Sequence, residues 1–182
     1  MHHLWFSDVD YADKGTLIKW NPAVKTAADR AAIRRAVIDG RIDVIATDHA
    51  PHTLEEKDGN YFKAPSGAPL VQHSVVAMLE MCKQGIFTEE LVVEKMCHSP
   101  ARMFSIIDRG YVREGYFADL VLVNPNSQWT VSKSNLLYKC GWSPLEGTTF
   151  NSKIVGTFVN GSLAYNKGEI LERNGSRLLF NR

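Results

Sequence analysis

Cysteine is scarce in this sequence, and the spacing of the few cysteines excludes two kinds of site. The chain has three cysteines among 182 residues, at Cys82, Cys97 and Cys140. No two of them have the two-residue spacing of a structural zinc site, and an odd number does not suit a disulfide framework. The cysteines therefore predict reduced thiols and a cytoplasmic protein.

The sequence also lacks a long apolar run and an excess of charge of one sign. No stretch reaches the ~20 apolar residues that a membrane-spanning helix needs, and no signal peptide is recognisable at the start. The 21 Lys and Arg residues are matched by 20 Asp and Glu residues, without a basic block. We therefore expect a protein with no membrane contact and no nucleic acid partner.

What the sequence does contain is a group of titratable side chains directly after an apolar run, within residues 42–52. The run at 42–48 is rich in branched side chains and predicts a short buried strand. Asp48, His49 and His52 lie at its carboxyl end, where parallel sheets and β/α barrels carry their active sites. We therefore predict a functional site here. His49 is assigned a structural role, because it follows Asp48 directly and must point elsewhere.

Helices are predicted on both sides of this segment. Thr26 and Asp29 have the spacing of a capping box, and the apolar stripe that follows them ends at Gly40. A helix followed at once by a strand is the alternation of α/β proteins. Further helices are expected at residues 69–85, 88–96 and 99–103. The polar stretch at 53–69 shows no period and is long for a connection, which is typical of a binding loop.

Extended structure is expected towards both ends of the chain. The opening MHHLWF is interpreted as the end of a strand, and residues 16–20 as a short extended piece that runs into a turn. From about Gly110 onward, apolar runs alternate with turn residues. Asn160 and Gly161 lie between two such runs and are the strongest short signal for a β-hairpin. The last part of the chain therefore predicts a small β element.

Several of these motifs together resemble one enzyme family. IATDHAPHTLEEK, preceded by HHLWF, KWNPAVKT and DGRID, resembles the C-terminal part of dihydroorotase, a zinc-dependent cyclic amidohydrolase of pyrimidine biosynthesis. REGYFADLVLVNP and VGTFVNGSLAY resemble the small β-sandwich that amidohydrolases build beside their barrel. The resemblance implies an α/β fold, with the C-terminal part of a (β/α)₈ TIM-type barrel at residues 1–109 and a β-sandwich tail at 110–182.

The resemblance also implies roles for individual residues. Asp48 matches the aspartate at the end of the last barrel strand, which contacts the zinc and carries a proton between the attacking hydroxide and the leaving nitrogen. His52 matches the histidine that holds the carboxylate of the substrate, dihydroorotate. Asn21 and the backbone of Ser66 and Gly67 match further substrate contacts. The loop after His52 would then cover the bound ring.

The chain departs from the family in length and in metal ligands. A complete barrel needs about 250 residues, far more than the segment 1–109 provides. The family's His-x-His motif does not occur in the sequence, and Asp48 alone cannot hold a zinc ion. We therefore expect a fragment that is inactive alone, with its other metal ligands outside the chain. A barrel that lacks its early strands exposes sheet edges and apolar surface, so a homo-oligomer is expected.

Other functions remain open at this point. A sister cyclic amidohydrolase of the allantoinase or dihydropyrimidinase type has similar motifs, and a non-catalytic homologue could act as a structural partner. A scaffold has no need of Asp48 and His52, which argues against the second alternative. Of the remaining histidines, His2 and His3 are not expected to bind metal, because the family's metal histidines lie further upstream. His73 and His98 are expected on helix surfaces or at helix ends.

Overall fold

The structure is a computed structural model that describes residues 1–171 and 174–181. It has a mixed α/β composition, as predicted. The α-helices are α1 (His2–Trp5), α2 (Tyr11–Lys14), α3 (Ala27–Ile38), α4 (Leu54–Lys57), α5 (Ser74–Lys83), α6 (Glu89–Val93) and α7 (Ser99–Met103). The strands are β1 (Leu120–Asn124), β2 (Trp129–Thr130), β3 (Thr149–Phe150), β4 (Lys153–Val159), β5 (Ser162–Asn166) and β6 (Glu169–Ile170).

The helix α3 begins at the predicted capping box. The Thr26 hydroxyl accepts a hydrogen bond from the Asp29 backbone N–H at 3.2 Å, and the Asp29 carboxylate accepts one from the Thr26 N–H at 3.1 Å. These two bonds satisfy donors that the first turn of a helix leaves open. The helix is followed by Gly40 with a φ of 75°, a conformation that glycine adopts without steric cost. The prediction for this helix is confirmed.

Residues 42–48 do not form the predicted strand. Ile45 is buried, but Ile42 and Val44 are half-buried, and no residue of this run belongs to a strand in the described part of the chain. A strand is defined by hydrogen bonds to a neighbouring strand. The ladder contact seen here is one parallel bridge between His49 and Ala68. Of the three apolar residues of the run, burial is confirmed for Ile45 alone, and the run has no neighbouring strand to pair with in the described part of the chain.

The start of the chain is helical where extended structure was predicted. Residues His2–Trp5 form α1, and the Phe6 N–H donates to the His2 carbonyl at 2.9 Å. Residues Gly15–Ile18 form a 3₁₀ turn. Leu4 and Phe6 are both buried. They are two positions apart, which is also the spacing of buried residues along a strand. These two predictions were wrong.

The helices after the loop lie close to their predicted positions. A 3₁₀ turn at Val71–His73 precedes α5, which therefore begins later than the predicted start at residue 69. Thr88 caps α6 by accepting a hydrogen bond from the Leu91 N–H at 3.2 Å. A π-helical segment, Glu94–His98, joins α6 to α7, so these two predicted helices are continuous.

The β element forms a four-stranded antiparallel sheet in the order β1-β4-β5-β6. Leu120 of β1 pairs with Phe158 of β4. The β4–β5 turn is Asn160-Gly161, and both residues have positive φ, 52° and 82°. Two residues of this kind match the right-handed twist of a hairpin, so the hairpin prediction is confirmed. β2 and β3 form a separate two-stranded sheet.

By internal packing the chain divides into two compact units. The first contains Met1–Met78 with Thr130–Thr149, and the second contains Leu79–Trp129 with the described residues from 150 onward. The division into a barrel part at 1–109 and a tail at 110–182 stays a prediction, and residues 172, 173 and 182 of that tail lie outside the described residues. Across residues 1–171 and 174–181, no helix combines the length and the apolar character needed to cross a membrane.

Candidate functional site

The candidate site lies in the first unit, where the segment after the apolar run meets the end of the 53–69 loop. The His49–Ala68 bridge joins them, and the Ala50 N–H donates to the Ala68 carbonyl at 3.3 Å. The Nδ1 atom of His49 accepts a hydrogen bond from the Leu70 N–H at 3.0 Å. The imidazole of His49 is therefore bound to the backbone and holds the two segments side by side.

Asp48 lies just before this junction, with its side chain exposed and its φ at 50°. This left-handed conformation is uncommon for a residue with a side chain. Burial and the positive N-terminus lower the pKa of the nearby His3, while the charge of Asp48 acts in the opposite direction. Burial also lowers the pKa of His2 to about 3, and its ring stacks on Trp20 at 4.4 Å. His2 is therefore a neutral, packed imidazole.

His52 lies between two oxygen acceptors. Its Nε2 atom is 3.2 Å from the Ser66 carbonyl oxygen, and its Nδ1 atom is 3.4 Å from a carboxylate oxygen of Glu56. Both ring nitrogens therefore face an oxygen atom of the 53–69 loop. The backbone of His52 is fixed as well, since its carbonyl accepts a hydrogen bond from the indole N–H of Trp142 at 2.7 Å. The ring and the backbone of His52 are therefore both held by neighbouring groups.

Gly67 occupies a place that no other residue could fill without a shift. Its φ is 124°, and a Cβ atom built on it would lie 2.5 Å from the Ala50 carbonyl oxygen. Its N–H donates to the Lys19 carbonyl at 2.9 Å, and its own carbonyl accepts from the Lys57 ammonium at 2.8 Å. Both polar groups of its backbone therefore have partners within the chain.

The structure brings three of the five predicted site residues, His52, Ser66 and Gly67, into one neighbourhood. Ser66 contacts His52 directly, and Gly67 is bound to Lys19, two residues before the exposed Asn21. In the described part of the chain no hydrogen bond joins Asp48 to these residues. Its place in the site rests on its position directly before the His49–Ala68 junction.

A metal ion would need more ligands than this neighbourhood offers. No group of three or more His, Cys, Asp or Glu side chains with metal-binding geometry occurs among residues 1–171 and 174–181. Asp48 could supply one carboxylate ligand, whereas zinc sites in proteins use three or four protein ligands. The described residues do not form a zinc site by themselves.

The burial of two residues of this unit was not predicted from the sequence. Lys57, in a stretch interpreted as an unstructured loop, is fully buried, and burial and the nearby Lys19 lower its pKa to about 8. The signal that could have located it is the capping box of Thr53 and Glu56, which begins α4. His73 is also fully buried and lies 3.1 Å from the Tyr138 hydroxyl. A surface position was therefore wrong for His73, whereas the alternative of a helix end agrees with its place as the last residue of the Val71–His73 turn.

A cavity of about 450 Å³ lies within the second unit and is lined by residues of that unit. Arg102 and Arg109 line it, but each pairs with a carboxylate, Glu94 and Asp119 respectively. Arg109 also donates to the Asn160 side chain at 2.6 Å. The cavity contains none of the predicted site residues, and the charges of these two arginines are already compensated.

The Amidohydrolase family profile matches residues 14–164 of the chain. The chain belongs to the amidohydrolase family. Among its curated relatives, the dihydroorotase of Pyrococcus furiosus is 34% identical over 179 residues, which are 98% of this chain and 41% of that protein. The dihydroorotase of Clostridioides difficile is 35% identical over 166 residues, 91% of this chain and 39% of that protein. The resemblance to dihydroorotase is confirmed by these relatives.

Solved structures of other amidohydrolases show the same fold. The L-hydantoinase (dihydropyrimidinase) of Arthrobacter aurescens superimposes with a TM-score of 0.88 at 29% identity, over 94% of this chain and 39% of that one. A D-hydantoinase structure superimposes with a TM-score of 0.85 at 18% identity, over 93% of this chain and 39% of that one, and shows the fold alone. The chain thus spans about 40% of the length of the amidohydrolases it matches.

Proposed function

We propose that the complete protein is a dihydroorotase, which hydrolyses the ring amide of dihydroorotate to carbamoyl aspartate and catalyses the reverse reaction in pyrimidine biosynthesis. The supporting observation is the placement of His52 beside Ser66, at the junction that follows Asp48, in a chain whose curated relatives are dihydroorotases. In this proposal, residues 1–109 are the C-terminal part of a TIM-type barrel, 110–182 are a β-sandwich tail, and the protein is a cytoplasmic homo-oligomer.

Asp48 is the residue that handles protons in this mechanism. A bound zinc ion, held by Asp48 and by ligands from parts of the protein outside this chain, would act as a Lewis acid on the amide and activate water. An ionised carboxylate at Asp48 can accept the proton of the attacking water and return it to the ring nitrogen as the amide bond breaks. The exposed position of Asp48 leaves its oxygens accessible for this exchange. We expect the chain alone to be inactive.

His52 gives the site its preference for a carboxylate. Dihydroorotate carries a carboxylate on its ring, and a charged imidazole can hold it by a charge-assisted hydrogen bond. Because both ring nitrogens of His52 now face acceptors, binding would exchange one of these protein contacts for a contact with the substrate. Ser66, whose carbonyl oxygen faces His52, and Asn21 are proposed as further contacts. Both backbone groups of Gly67 already have partners within the chain. Its proposed role is therefore to let the loop approach Ala50 closely, which positions Ser66.

An activity of the hydantoinase type is the second candidate function. The likeness to the L-hydantoinase (dihydropyrimidinase) structure favours it. Hydantoin and dihydropyrimidine rings need no group that binds a carboxylate, so His52 distinguishes the two functions. An allantoinase or a non-catalytic homologue in a structural assembly would also share the fold.

The proposed function predicts different effects for two substitutions in the complete, zinc-loaded protein. Asp48→Asn should lower kcat by about a hundredfold or more for every substrate, because the proton carrier is lost. His52→Gln should raise KM for dihydroorotate about tenfold or more, with little effect on hydantoin or dihydrouracil. Product formation is measured for each ring compound and for allantoin.

The chain offers a matched control for each substitution. Asp43→Asn changes another exposed aspartate of the same segment. His98→Gln changes a histidine that, like His52, lies about 3.3 Å from a glutamate four residues away in sequence. Both controls should retain normal turnover. Turnover of hydantoin but not of dihydroorotate would favour the second function, and the absence of turnover on every ring compound would favour the non-catalytic alternative.

A further inference from the structure

Lys57 is a buried cation whose partners are all backbone carbonyls. It is the last residue of α4 and has no exposed surface. Its ammonium donates to the Pro65 carbonyl at 2.9 Å and to the Gly67 carbonyl at 2.8 Å. No carboxylate of the described residues forms an ion pair with it. The positive charge is therefore balanced by carbonyl dipoles of the loop that also carries Ser66.

Lys19 binds other carbonyls of the same loop. Its ammonium donates to the Tyr61 and Ala64 carbonyls, each at 2.6 Å, and lies 5.0 Å from the centre of the Tyr61 ring. Its own carbonyl accepts the Gly67 N–H at 2.9 Å. We call Lys19 and Lys57, together with these carbonyls of residues 61–67, the lysine clamp. The clamp therefore holds residues 61–67 of the loop, from the Tyr61 carbonyl to the Gly67 carbonyl.

The buried charge of Lys57 has both a cost and a gain in stability. Burying an ammonium group without an anionic partner costs free energy, whereas an apolar side chain of similar size would take away the hydrogen-bond donor of two carbonyls. The ammonium group of Lys57 also fixes the orientation of the loop backbone, because it donates to the carbonyls of the two residues that flank Ser66. The carbonyl of Ser66 itself is thereby left facing the Nε2 atom of His52 at 3.2 Å.

We propose that Lys57 is a positioning residue, which acts through the lysine clamp to hold Ser66 and His52 in the geometry that binds the substrate. This inference rests on the proposed function for its consequence in catalysis. The clamp itself can be tested without substrate. A matched control is available, because Lys63 is an exposed lysine of the same loop.

The first test is hydrogen exchange of the complete protein, measured by mass spectrometry without substrate. In Lys57→Met the amides of residues 66–68 should exchange at least about tenfold faster, because the Pro65 and Gly67 carbonyls lose their anchor, while α3 exchanges at the unchanged rate. Lys57→Arg, which keeps the charge and the donors, should restore part of the protection. Lys63→Met should exchange like the unsubstituted protein. If Lys57→Met does not fold, the same comparison is made with Lys57→Gln.

The second test separates a positioning role from a merely structural one. Lys57→Met should raise KM for dihydroorotate on the order of tenfold while kcat falls much less, and Lys57→Arg should recover most of the loss. Unchanged exchange in the loop would overturn the clamp. Faster exchange with an unchanged KM would overturn the role of Lys57 in substrate binding. A protein without activity on any ring compound would refute the proposed function, and the exchange result would still decide the clamp.

Discussion

At the scale of single residues, the site depends on two positions where the backbone is held in an unusual conformation. Asp48 has a φ of 50°, and Gly67 has a φ of 124° with the Ala50 carbonyl directly over it. For a residue with a side chain such a conformation costs free energy and persists only where surrounding contacts hold it, whereas glycine adopts it freely. At Gly67 the surrounding contacts are the bonds to Lys19 and Lys57. The geometry next to Ser66 is therefore specified by its neighbours in space.

Gly67→Ala is expected to destabilise the protein by on the order of 2 kcal/mol or more, since it adds a steric clash to an unfavourable φ. The free energy of unfolding is measured in urea. Gly59→Ala is the matched control, because Gly59 also has a positive φ of 100° but open space where a Cβ would be. An equal loss of unfolding free energy in the two variants would show that contact with Ala50 does not contribute to the effect.

At the scale of secondary-structure elements, the confirmed predictions are those whose signals lie within a few residues of one another. The Thr26–Asp29 capping box and the Asn160-Gly161 turn each involve neighbours in the chain. The run at 42–48 was misassigned because a strand needs a partner segment, and no local pattern reveals whether one is present. Burial needs no strand partner, so Ile45 is buried as predicted although its segment is not a strand.

The cap of α3 gives a prediction at this scale. Thr26→Ala removes the acceptor for the Asp29 N–H and should lower the free energy of unfolding by about 1 kcal/mol. Thr26→Ser keeps the hydroxyl and should retain nearly all of the stability. Thermal or urea unfolding of the three proteins checks this. A serine variant as unstable as the alanine variant would show that the hydroxyl is not the stabilising group.

At the scale of the whole molecule, a buried neutral histidine makes stability depend on pH. Burial lowers the pKa of His73 from 6.5 to about 4. Between these values the unfolded chain binds a proton at this residue and the folded chain does not, so stability is complete above pH 6.5 and is lost as the pH falls towards 4. A shift of this size corresponds to on the order of 3 kcal/mol, because one pKa unit is about 1.4 kcal/mol.

His73→Gln should therefore show a smaller loss of stability between pH 6.5 and 4 than the unsubstituted protein, whatever its stability at neutral pH. Urea unfolding at several pH values measures the slope. An identical pH dependence in the His73 variant would show that another group causes the loss.

By itself, the sequence determined the family, the mixed α/β composition, the helix caps, the hairpin and the segment that contains Asp48 and His52. Each of these is encoded by residues close together in the chain. Only the tertiary structure decided that Lys57 and His73 are buried and that the backbone groups of Gly67 are occupied. These features depend on segments many residues apart, because burial and hydrogen-bond partners are properties of packing.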